Sequence, residues 1–411
     1  MKIDQKRLER QNAILDKWEE YKHRASFTAA TGFGKTFVGM LAIQRMLDSP
    51  NNDGNRSVII AVPTNYLRNQ WSERTKKLAK KCHIRIDTVH NLINEQNHCT
   101  LLILDELHTY TSPEFKKVFE CVKYNFILGM TATLRENDED NRILYRRCPI
   151  VDNVPLQECL KHGWVSNFTI YNLGLSLTPE DRNKYNQIDD QFKKYQGFFE
   201  HDFDLAKNVL SNENTLRNFA NRINQDEKTV KICAVNFFRK LRQRKDFIYN
   251  CDVKVDFACK LIRKFDEKII TFSQNTETAD RITNEMPHIC VSYHSNIKSQ
   301  MIDGKKYGKK RLNKMNIRKF IDNRYKIRVL NTVKSLDEGF DLSDVNTSIQ
   351  LAYYSSQLNQ IQRTGRIIRA NGHNSKEINL YIRNSQEERW LSKKQQQSPN
   401  IKWVDSIEEI T

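Results

Sequence analysis

The sequence predicts an α/β fold made of two domains with parallel sheets, plus a helical insertion at the start of the second domain. A chain of 411 residues is too long for one compact core. Short apolar runs bounded by polar stretches are typical of strands buried in a parallel sheet, and helical patterns lie between them. Because this alternation occurs twice along the chain, we expect two α/β domains.

The predicted elements follow one another in a regular order. Apolar runs predict strands at residues 58–62, 101–104, 126–130, 268–272, 328–330 and 348–352. Helical periodicity predicts helices at residues 36–47, 66–79, 276–286 and 312–322. The domain boundaries that follow are 1–149 for the first domain, 150–178 for a connector ending in a strand at 168–177, 179–250 for the insertion, 251–385 for the second domain and 386–411 for a weakly ordered tail.

The composition favours a polyanionic partner. The chain carries 67 basic and 50 acidic residues, a formal net charge of +17. Single lysines usually only solubilise a surface, but the overall excess favours nucleic acid through counterion release. Nine cysteines without a CxxC pair indicate a reduced protein without structural zinc. With no secretory signal and no apolar run of about 20 residues, we expect a soluble, cytoplasmic protein. We also expect a monomer.

Residues 29–36 read Ala-Ala-Thr-Gly-Phe-Gly-Lys-Thr and form a phosphate-binding pattern. The glycines let the backbone fold around an anion with its N–H groups turned inward. Lys35 can reach the outer phosphates, and the hydroxyl of Thr36 can bind Mg²⁺. The common pattern opens with Gly where this chain has Ala29. Taken alone, the segment predicts only that a nucleoside triphosphate binds.

An acidic pair follows the predicted strand at 101–104. Asp105 at a strand end beside a phosphate loop can hold Mg²⁺, and Glu106 is suited to polarise an attacking water. Such a pair by itself more often marks an exposed turn. Its position about 70 residues after the phosphate loop favours the catalytic interpretation. His108 either couples to a neighbouring motif or is an ordinary loop histidine.

Two later segments add hydroxyl and guanidinium groups. Thr131 and Thr133 follow the next strand, where they can bond the acidic pair and a facing domain, or Thr133 can simply cap a helix. Arg366 and Arg369 are three residues apart and share one face if helical. Such a pair can stabilise charge on a triphosphate, although a surface helix with salt bridges has the same spacing.

Together these segments resemble superfamily 2 helicases and translocases over roughly residues 8–381. Residues 29–36 resemble motif I, 105–108 motif II, 131–133 motif III and 362–369 motif VI. Other segments fit in order: Gln11 resembles the adenine-reading glutamine, residues 63–71 motif Ia, 88–90 motif Ib, 270–274 motif IV and 336–341 motif V. The resemblance implies two RecA-like P-loop domains with ATP and Mg²⁺ bound in the cleft between them.

The resemblance also implies a role for each matching residue. Catalysis is assigned to Lys35, Glu106, Arg366 and Arg369. ATP contacts are assigned to Gln11, Thr31, Gly32, Phe33, Gly34, Lys35, Thr36, Gly339 and Asp341. Mg²⁺ binding is assigned to Thr36 and Asp105. Coupling between sites is assigned to His108, Thr131, Thr133 and Gln362. Nucleic-acid contacts are assigned to Pro63, Thr64, Thr88, Ser273 and Gln274.

Within the superfamily, the chain departs from DEAD-box RNA helicases. Its motif II ends in Leu-His and its motif III begins with Thr. This DExH chain combines Thr-Gly-Phe-Gly-Lys-Thr, Thr-Ala-Thr-Leu-Arg and a helical insertion early in its second half. The combination resembles the DNA-directed branch with XPB-like repair helicases, phage UvsW-like enzymes and restriction-enzyme motor subunits. It implies an ATP-dependent DNA helicase or translocase in a bacterial or phage-infected cell, with replication, recombination or repair proteins as partners. The alternatives are an RNA helicase of the same architecture and a motor subunit active only within a larger complex.

Two basic stretches carry no family motif. Residues 237–245 combine aromatic and basic side chains, so Arg242 and Arg244 either contact phosphates or belong to an ordinary amphipathic helix. Residues 305–319 are rich in lysine, and glycines at 304 and 308 suggest that the first half is a loop. That stretch is either a solvated loop or a clamp on a nucleic-acid backbone.

Overall fold

The structure is a computed structural model that describes residues 4–49, 56–132, 134, 138–302, 305–333, 344–352, 374–394 and 400–411. The chain packs as two compact units. The first includes residues 4–169, and the second includes residues 170–333 and 378–411. Each unit contains its own sheet and hydrophobic core.

The first unit alternates strands and helices. Its strands are β1 (Arg24–Ala29), β2 (Ser57–Val62), β3 (His83–Thr88), β4 (Asn97–Asp105), β5 (Val122–Thr131) and β6 (Ile150–Val154). Its helices are α1 (Gln5–Glu20), α2 (Lys35–Asp48), α3 (Asn65–Thr75), α4 (Val89–Leu92), α5 (Val118–Cys121), α6 (Asp138–Arg147) and α7 (Leu156–Lys161). Three 3₁₀ segments lie at Leu78–Lys80, Leu107–Thr111 and Phe115–Lys117.

The first sheet is parallel, with strand order β3-β2-β4-β5-β1-β6. The three strands predicted in this part of the sequence are present. The sequence did not predict β1, β3 and β6, because each mixes polar residues into its run; β3, for example, reads His-Ile-Arg-Ile-Asp-Thr at a sheet edge. Since β6 joins this sheet, the first unit extends to residue 169 rather than ending at 149.

Helix α1 is held on the sheet by buried and partly buried polar contacts. The guanidinium of Arg10 donates to both carboxylate oxygens of Asp152 at 2.7 and 2.9 Å and to Glu158 at 2.8 Å. The indole N–H of Trp18 donates to the carbonyl of Ile127 at 2.8 Å. These contacts place the first turns of α1 beside the loop that follows β1.

The second unit contains a seven-stranded sheet of order β15-β7-β14-β13-β8-β12-β9 and a separate pair β10-β11. Its strands are β7 (Phe168–Leu175), β8 (Ile269–Ser273), β9 (Cys290–Tyr293), β10 (Gln300–Ile302), β11 (Lys305–Tyr307), β12 (Val329–Val333), β13 (Thr347–Gln350), β14 (Ser375–Ile382) and β15 (Ile401–Val404). Its helices are α8 (Pro179–Phe198), α9 (Phe203–Ser211), α10 (Glu213–Arg222), α11 (Glu227–Tyr249), α12 (Asp252–Lys264), α13 (Thr276–Glu285), α14 (Lys309–Ile321) and α15 (Gln386–Lys394).

Helices α8 to α11 occupy the segment where the sequence predicts a helical insertion. They bury a core of their own, which includes Phe192, Phe199, Phe219 and Phe237. Polar side chains cap these helices; Thr178, for example, accepts from the N–H of Asp181 at 3.1 Å. None of the helices in the described part of the chain has the length and apolar character needed to cross a membrane.

Two expectations about local order are wrong. Residues 386–394 and 400–411 are not a loose tail, because Glu387 is fully buried against Lys254 at 2.7 Å and β15 pairs in parallel with β7. The stretch at 305–307 is not a loop, because it pairs with β10 as an antiparallel strand. In both cases the stabilising partner is a pairing that local composition does not reveal.

Candidate active site

The loop between β1 and α2 has the backbone shape that binds an anion. Gly32 and Gly34 have φ angles of +91° and +99°, which L side chains rarely adopt. A Cβ atom on Gly34 would lie 2.9 Å from Nε2 of Gln11. Helix α2 begins at Lys35, so the free N–H groups of its first turn point toward the loop. This arrangement fits a phosphate group.

Packing and a hydrogen bond anchor the phosphate loop to the first unit. Phe33 is fully buried, and its ring centroid lies 5.5 Å from that of Trp164. The ammonium of Lys35 donates to the carbonyl of Ala29 at 3.3 Å. Lys35 and Thr36 are half-buried, and Thr31 also lies in the partly accessible part of the loop. The loop is therefore anchored while its cation and hydroxyl remain accessible.

Helix α1 contacts this loop through two side chains. Nε2 of Gln11 donates to the carbonyl of Phe33 at 3.0 Å, and Gln11 is only 3% exposed. Nε of Arg7 donates to the same carbonyl at 2.9 Å, and Nη2 of Arg7 donates to the carbonyl of Gly32. Burial lowers the pKa of Arg7. Sequence reasoning did not identify Arg7, although its spacing of four residues from Gln11 places both on one helix face.

Asp105 ends β4 as a buried carboxylate. Its Oδ2 accepts from the indole N–H of Trp71 at 2.8 Å, and its Oδ1 accepts from the N–H of Glu106 at 3.0 Å. Burial and the neighbouring charge of Glu106 raise the pKa of Asp105 to about 6, while Trp71 and Lys35 act in the opposite direction. The carboxylate and Lys35 of the phosphate loop are thus close enough to interact electrostatically.

Glu106, His108 and Thr131 form a connected group. Glu106 has a left-handed backbone with φ +52°, and its Oε2 atom is buried without a hydrogen-bond partner among the described residues. That oxygen lies 3.5 Å from Nδ1 of His108, which in turn lies 2.8 Å from Oγ1 of Thr131. The structure thus brings these three predicted residues together at adjacent strands β4 and β5.

The donor set fits Mg²⁺ carried in with a nucleotide. Magnesium prefers oxygen ligands and is usually held by one or two carboxylates together with substrate phosphates. Asp105 and Thr36 offer a carboxylate and a hydroxyl of this kind. In the part of the chain that the structure describes, no three His, Cys, Asp or Glu side chains are grouped to hold a metal by themselves. Oε2 of Glu106 makes no hydrogen bond to a described residue, so its capacity to bond a water molecule is not used.

The predicted nucleic-acid residues of the first unit lie at the carboxyl ends of β2 and β3, which are neighbours in the sheet. Thr64 caps α3 by accepting from the N–H of Leu67 at 3.4 Å, and Pro63 precedes it. Thr88 ends β3 and is largely buried. These residues share the sheet edge with the phosphate loop but follow different strands.

Ser273 and Gln274 lie at the corresponding end of β8 in the second unit. Ser273 is fully buried, and Gln274 is half-buried. Ser273 Oγ and Gln274 Oε1 have no hydrogen-bond partner among the described residues. Buried polar atoms in this state call for a partner, such as an ordered water molecule or ion.

Arg244 is a predicted phosphate contact, but its side chain is buried inside the helical insertion. The side chain is 8% exposed, and its Nη1 donates to Oδ1 of Asp189 at 2.8 Å. Its guanidinium carbon lies 3.8 Å from the ring centroid of Phe192. Arg244 thus stabilises the helical insertion from within, whereas Arg242 on the same helix is exposed.

Six predicted site residues lie outside the residues that the structure describes: Thr133, Gly339, Asp341, Gln362, Arg366 and Arg369. Their roles therefore stay predictions from the motifs.

Comparison with known proteins finds similarity along most of the chain. A sequence profile described as the type III restriction enzyme res subunit matches residues 1–96 and 84–136, and one described as the helicase conserved C-terminal domain matches 253–371. The DNA 3'-5' translocase XPB2 of Sulfurisphaera tokodaii is 25% identical over 367 residues, which cover 84% of this chain and 75% of the relative.

Solved structures show the same fold. The Pyrococcus furiosus Hef helicase domain gives a TM-score of 0.56 at 14% identity, covering 94% of this chain and 97% of that chain. The S. cerevisiae Dbp5 structure bound to RNA and ADP BeF3 gives a TM-score of 0.56 at 13% identity, covering 96% and 89%. From the matched profiles and the relative, the chain is a member of the superfamily 2 helicases and translocases, a family that hydrolyses ATP in a nucleic-acid-dependent way.

Proposed function

We propose that this protein is an ATP-dependent DNA helicase or translocase that couples ATP hydrolysis to movement along DNA or remodelling of DNA. The observation that carries the proposal is the convergence of the phosphate loop with Asp105 and Glu106 at one edge of a parallel sheet. The named activity of the XPB2 relative favours DNA as the substrate. The net charge of +17 also fits a polyanionic track.

Each residue of the first unit has a distinct role in this proposal. Lys35 and the N–H groups of the loop neutralise the phosphates, and Gln11 and Arg7 hold the carbonyl side of the loop in place. Asp105 and Thr36 hold Mg²⁺, which supplies charge neutralisation on the phosphates when it is bound. Glu106 orients the attacking water and accepts its proton.

His108 and Thr131 position the water-orienting carboxylate. His108 lies between Glu106 and Thr131 at 3.5 and 2.8 Å, so a displacement of the strand end at Thr131 changes the orientation of Glu106. This connection is a physical path by which nucleic-acid binding at neighbouring strand ends affects hydrolysis. Thr133 and Gln362 are assigned to the same coupling role because they match the helicase motifs.

The later motifs complete the motor in this proposal. Arg366 and Arg369 stabilise the developing charge on the phosphates, and Gly339 and Asp341 contact the nucleotide, as the motifs predict. Pro63, Thr64 and Thr88 in the first unit, together with Ser273 and Gln274 in the second, contact the sugar-phosphate backbone. Because these contacts are to the backbone, movement is independent of base sequence.

The proposal places the protein in the cytoplasm of a bacterial or phage-infected cell, acting as a monomer alongside replication, recombination or repair proteins. The nine cysteines are all free thiols, which fits a reducing compartment.

ATP turnover measured with duplex DNA, single-stranded DNA and RNA tests the substrate. We expect the largest stimulation with DNA. Stimulation by RNA alone would indicate the RNA-helicase alternative. Nucleotide binding without turnover, rescued by another protein, would indicate a motor subunit. A triplex-displacement assay beside an unwinding assay separates translocation from strand separation.

Glu106→Gln tests the catalytic assignment. The substitution keeps the size of the side chain and its left-handed backbone but removes the base, so ATP binding should persist while DNA-stimulated turnover is nearly lost. Arg366→Ala should also lose turnover with an unchanged circular dichroism spectrum. Turnover at the wild-type rate in Glu106→Gln would refute the assignment of Glu106.

A further inference from the structure

A small two-stranded sheet stands apart from the main sheet of the second unit. Strands β10 and β11 pair antiparallel, with Met301 opposite Lys306, and form no ladder with the seven-stranded sheet. Helix α14 begins immediately afterwards at Lys309, with Gly308 as its N-cap. Strand β11 and the first two turns of α14 form what we call the basic hairpin surface, whose cations are Lys305, Lys306, Lys309, Lys310, Arg311 and Lys314.

The charge of this surface is of one sign. All six cations are exposed, and none forms an ion pair with another described residue. Asp303 is the only acidic residue in the sequence between residues 295 and 321. Elsewhere in the described chain, exposed cations such as Lys184 and Arg222 have carboxylate partners at 2.6 and 2.9 Å. A face that serves only solubility usually mixes both signs, so this distribution calls for a partner with negative charge.

The surface is held rigidly by the opposite face of α14. Leu312, Ile317 and Phe320 are buried there. Asn313 Nδ2 donates to the carbonyl of His294 at 2.9 Å, and Asn316 Nδ2 donates to the carbonyl of Ser292 at 2.9 Å. These bonds fix α14 to the end of β9. Because the apolar face is fixed, the helix backbone that carries the cations needs no further ordering on binding, and the cost is confined to their side-chain rotamers.

The hairpin adds features that suit a nucleic-acid backbone. The guanidinium carbon of Arg311 lies 4.3 Å from the ring centroid of Tyr307, which stiffens the join between β11 and α14. The first turn of α14 contributes free N–H groups beside Lys309 and Lys310. Exposed lysines clustered in one part of the chain can neutralise phosphates without reading bases.

We propose that the basic hairpin surface is a second, sequence-independent contact to the phosphate backbone of DNA, separate from the strand-end residues Ser273 and Gln274. The inference deepens the proposed function and rests on it. The partner follows from the cluster of exposed cations of one sign on a fixed helix, which fits a polyanion such as the phosphate backbone of DNA.

The test compares two variants with the same charge change. The first is Lys305→Gln/Lys306→Gln/Lys309→Gln. The control is Lys260→Gln/Arg263→Gln/Lys402→Gln, which removes three exposed cations from other parts of the second unit. The affinity of each protein for a labelled random-sequence duplex is measured by fluorescence anisotropy over a range of salt concentrations.

The expected result is a change in the salt dependence. Removing one lysine–phosphate interaction should reduce the slope of log K against log salt by about 0.9, so the slope of the hairpin variant should be smaller by roughly two to three. Its affinity should fall by about tenfold or more at low salt, equally for unrelated sequences. The slope of the control variant should stay within about one of the wild-type value. Melting temperatures of both variants should match the wild type, since all six substituted residues are exposed.

Other outcomes would overturn the inference. Suppose that the wild type binds DNA and shows DNA-stimulated turnover, but the two variants have equal slopes. That result would exclude the basic hairpin surface as a DNA contact and would leave the proposed function intact. Loss of binding to anionic phospholipid vesicles with unchanged DNA binding would assign the surface to a membrane instead. A wild type without DNA binding would overturn both proposals. If the triple variant melts early, Lys310→Gln/Lys314→Gln tests the same surface.

Discussion

The indole N–H of Trp71 donates a 2.8 Å hydrogen bond to Oδ2 of Asp105, the carboxylate that we assign to Mg²⁺. Trp71 is fully buried, and its ring packs so closely on Gly39 that a Cβ atom there would lie 2.6 Å from Cη2. One side chain thus contacts both the helix after the phosphate loop and the carboxylate at the end of β4. A partner of this kind fixes the orientation of a metal ligand.

Trp71→Phe should lower the affinity of the site for Mg²⁺ without unfolding the protein. The phenyl ring keeps most of the packing but cannot donate, and a hydrogen bond to a charged group contributes about 1.5–3 kcal/mol. We expect the Mg²⁺ concentration for half-maximal ATP turnover to rise by about tenfold. Trp18→Phe is the matched control, because Trp18 is also buried and donates instead to the carbonyl of Ile127. Equal Mg²⁺ requirements in the two variants would contradict this role.

Gly39→Ala should destabilise the first unit. The added methyl group meets the ring of Trp71 and, at 3.3 Å, the end of Met130, both in a packed core. Overpacking of this kind costs about 1–3 kcal/mol. In Gly197→Ala the new methyl group meets nothing within 4 Å, and the gain in helix propensity should raise stability by about 0.5–1 kcal/mol. Thermal melting of both variants checks the predicted opposite signs.

Asp105→Asn should stabilise the free protein at pH 8 and abolish Mg²⁺-dependent turnover. The pKa of Asp105 is about 6 in the folded protein, whereas the ordinary value for an aspartate, which applies to the unfolded chain, is 3.8. As the pH rises from 3.8 to 6, the unfolded chain therefore ionises more readily than the folded protein, and the free energy of unfolding falls. The penalty is complete above pH 6 and is on the order of 3 kcal/mol, at about 1.4 kcal/mol for each pKa unit. Melting curves should show an advantage for the variant at pH 8 that shrinks toward pH 4. A constant difference across that range would contradict the assignment.

Arg244→Ala should lower stability and leave DNA affinity nearly unchanged. Removing the guanidinium leaves the largely buried carboxylate of Asp189 with Lys193 at 2.8 Å as its remaining ion-pair partner, so the cost should be less than the roughly 3–5 kcal/mol of a buried charge left with no partner. Arg242→Ala, on the exposed side of the same helix, should leave the melting temperature unchanged and weaken DNA binding modestly. Denaturation and anisotropy measurements on both variants separate the two roles. A melting temperature of Arg244→Ala equal to the wild type would show that the pair contributes little.

Local sequence was sufficient for the strands with unbroken apolar runs and for the residues whose chemistry depends on short spacing. The phosphate loop, the acidic pair at 105–106 and the hydroxyl at Thr131 all follow strands of one sheet, and the carboxyl ends of parallel strands meet at one sheet edge. The helical insertion was also recognisable, because its amphipathic periodicity extends over several helices.

Only the tertiary structure decided which side chains meet across the chain. Trp71 and Asp105 are 34 residues apart, Arg7 and Gly32 are 25 apart, and Lys254 and Glu387 are 133 apart. Arg244 is a further example. Its positive charge suggests a contact at the surface, but in the folded chain it pairs with Asp189, 55 residues away. Periodicity and propensity report on neighbours within a few residues. Burial and pairing depend instead on which elements pack together, and for that reason the C-terminal segment and the hairpin at 300–307 were recognised only from the folded chain.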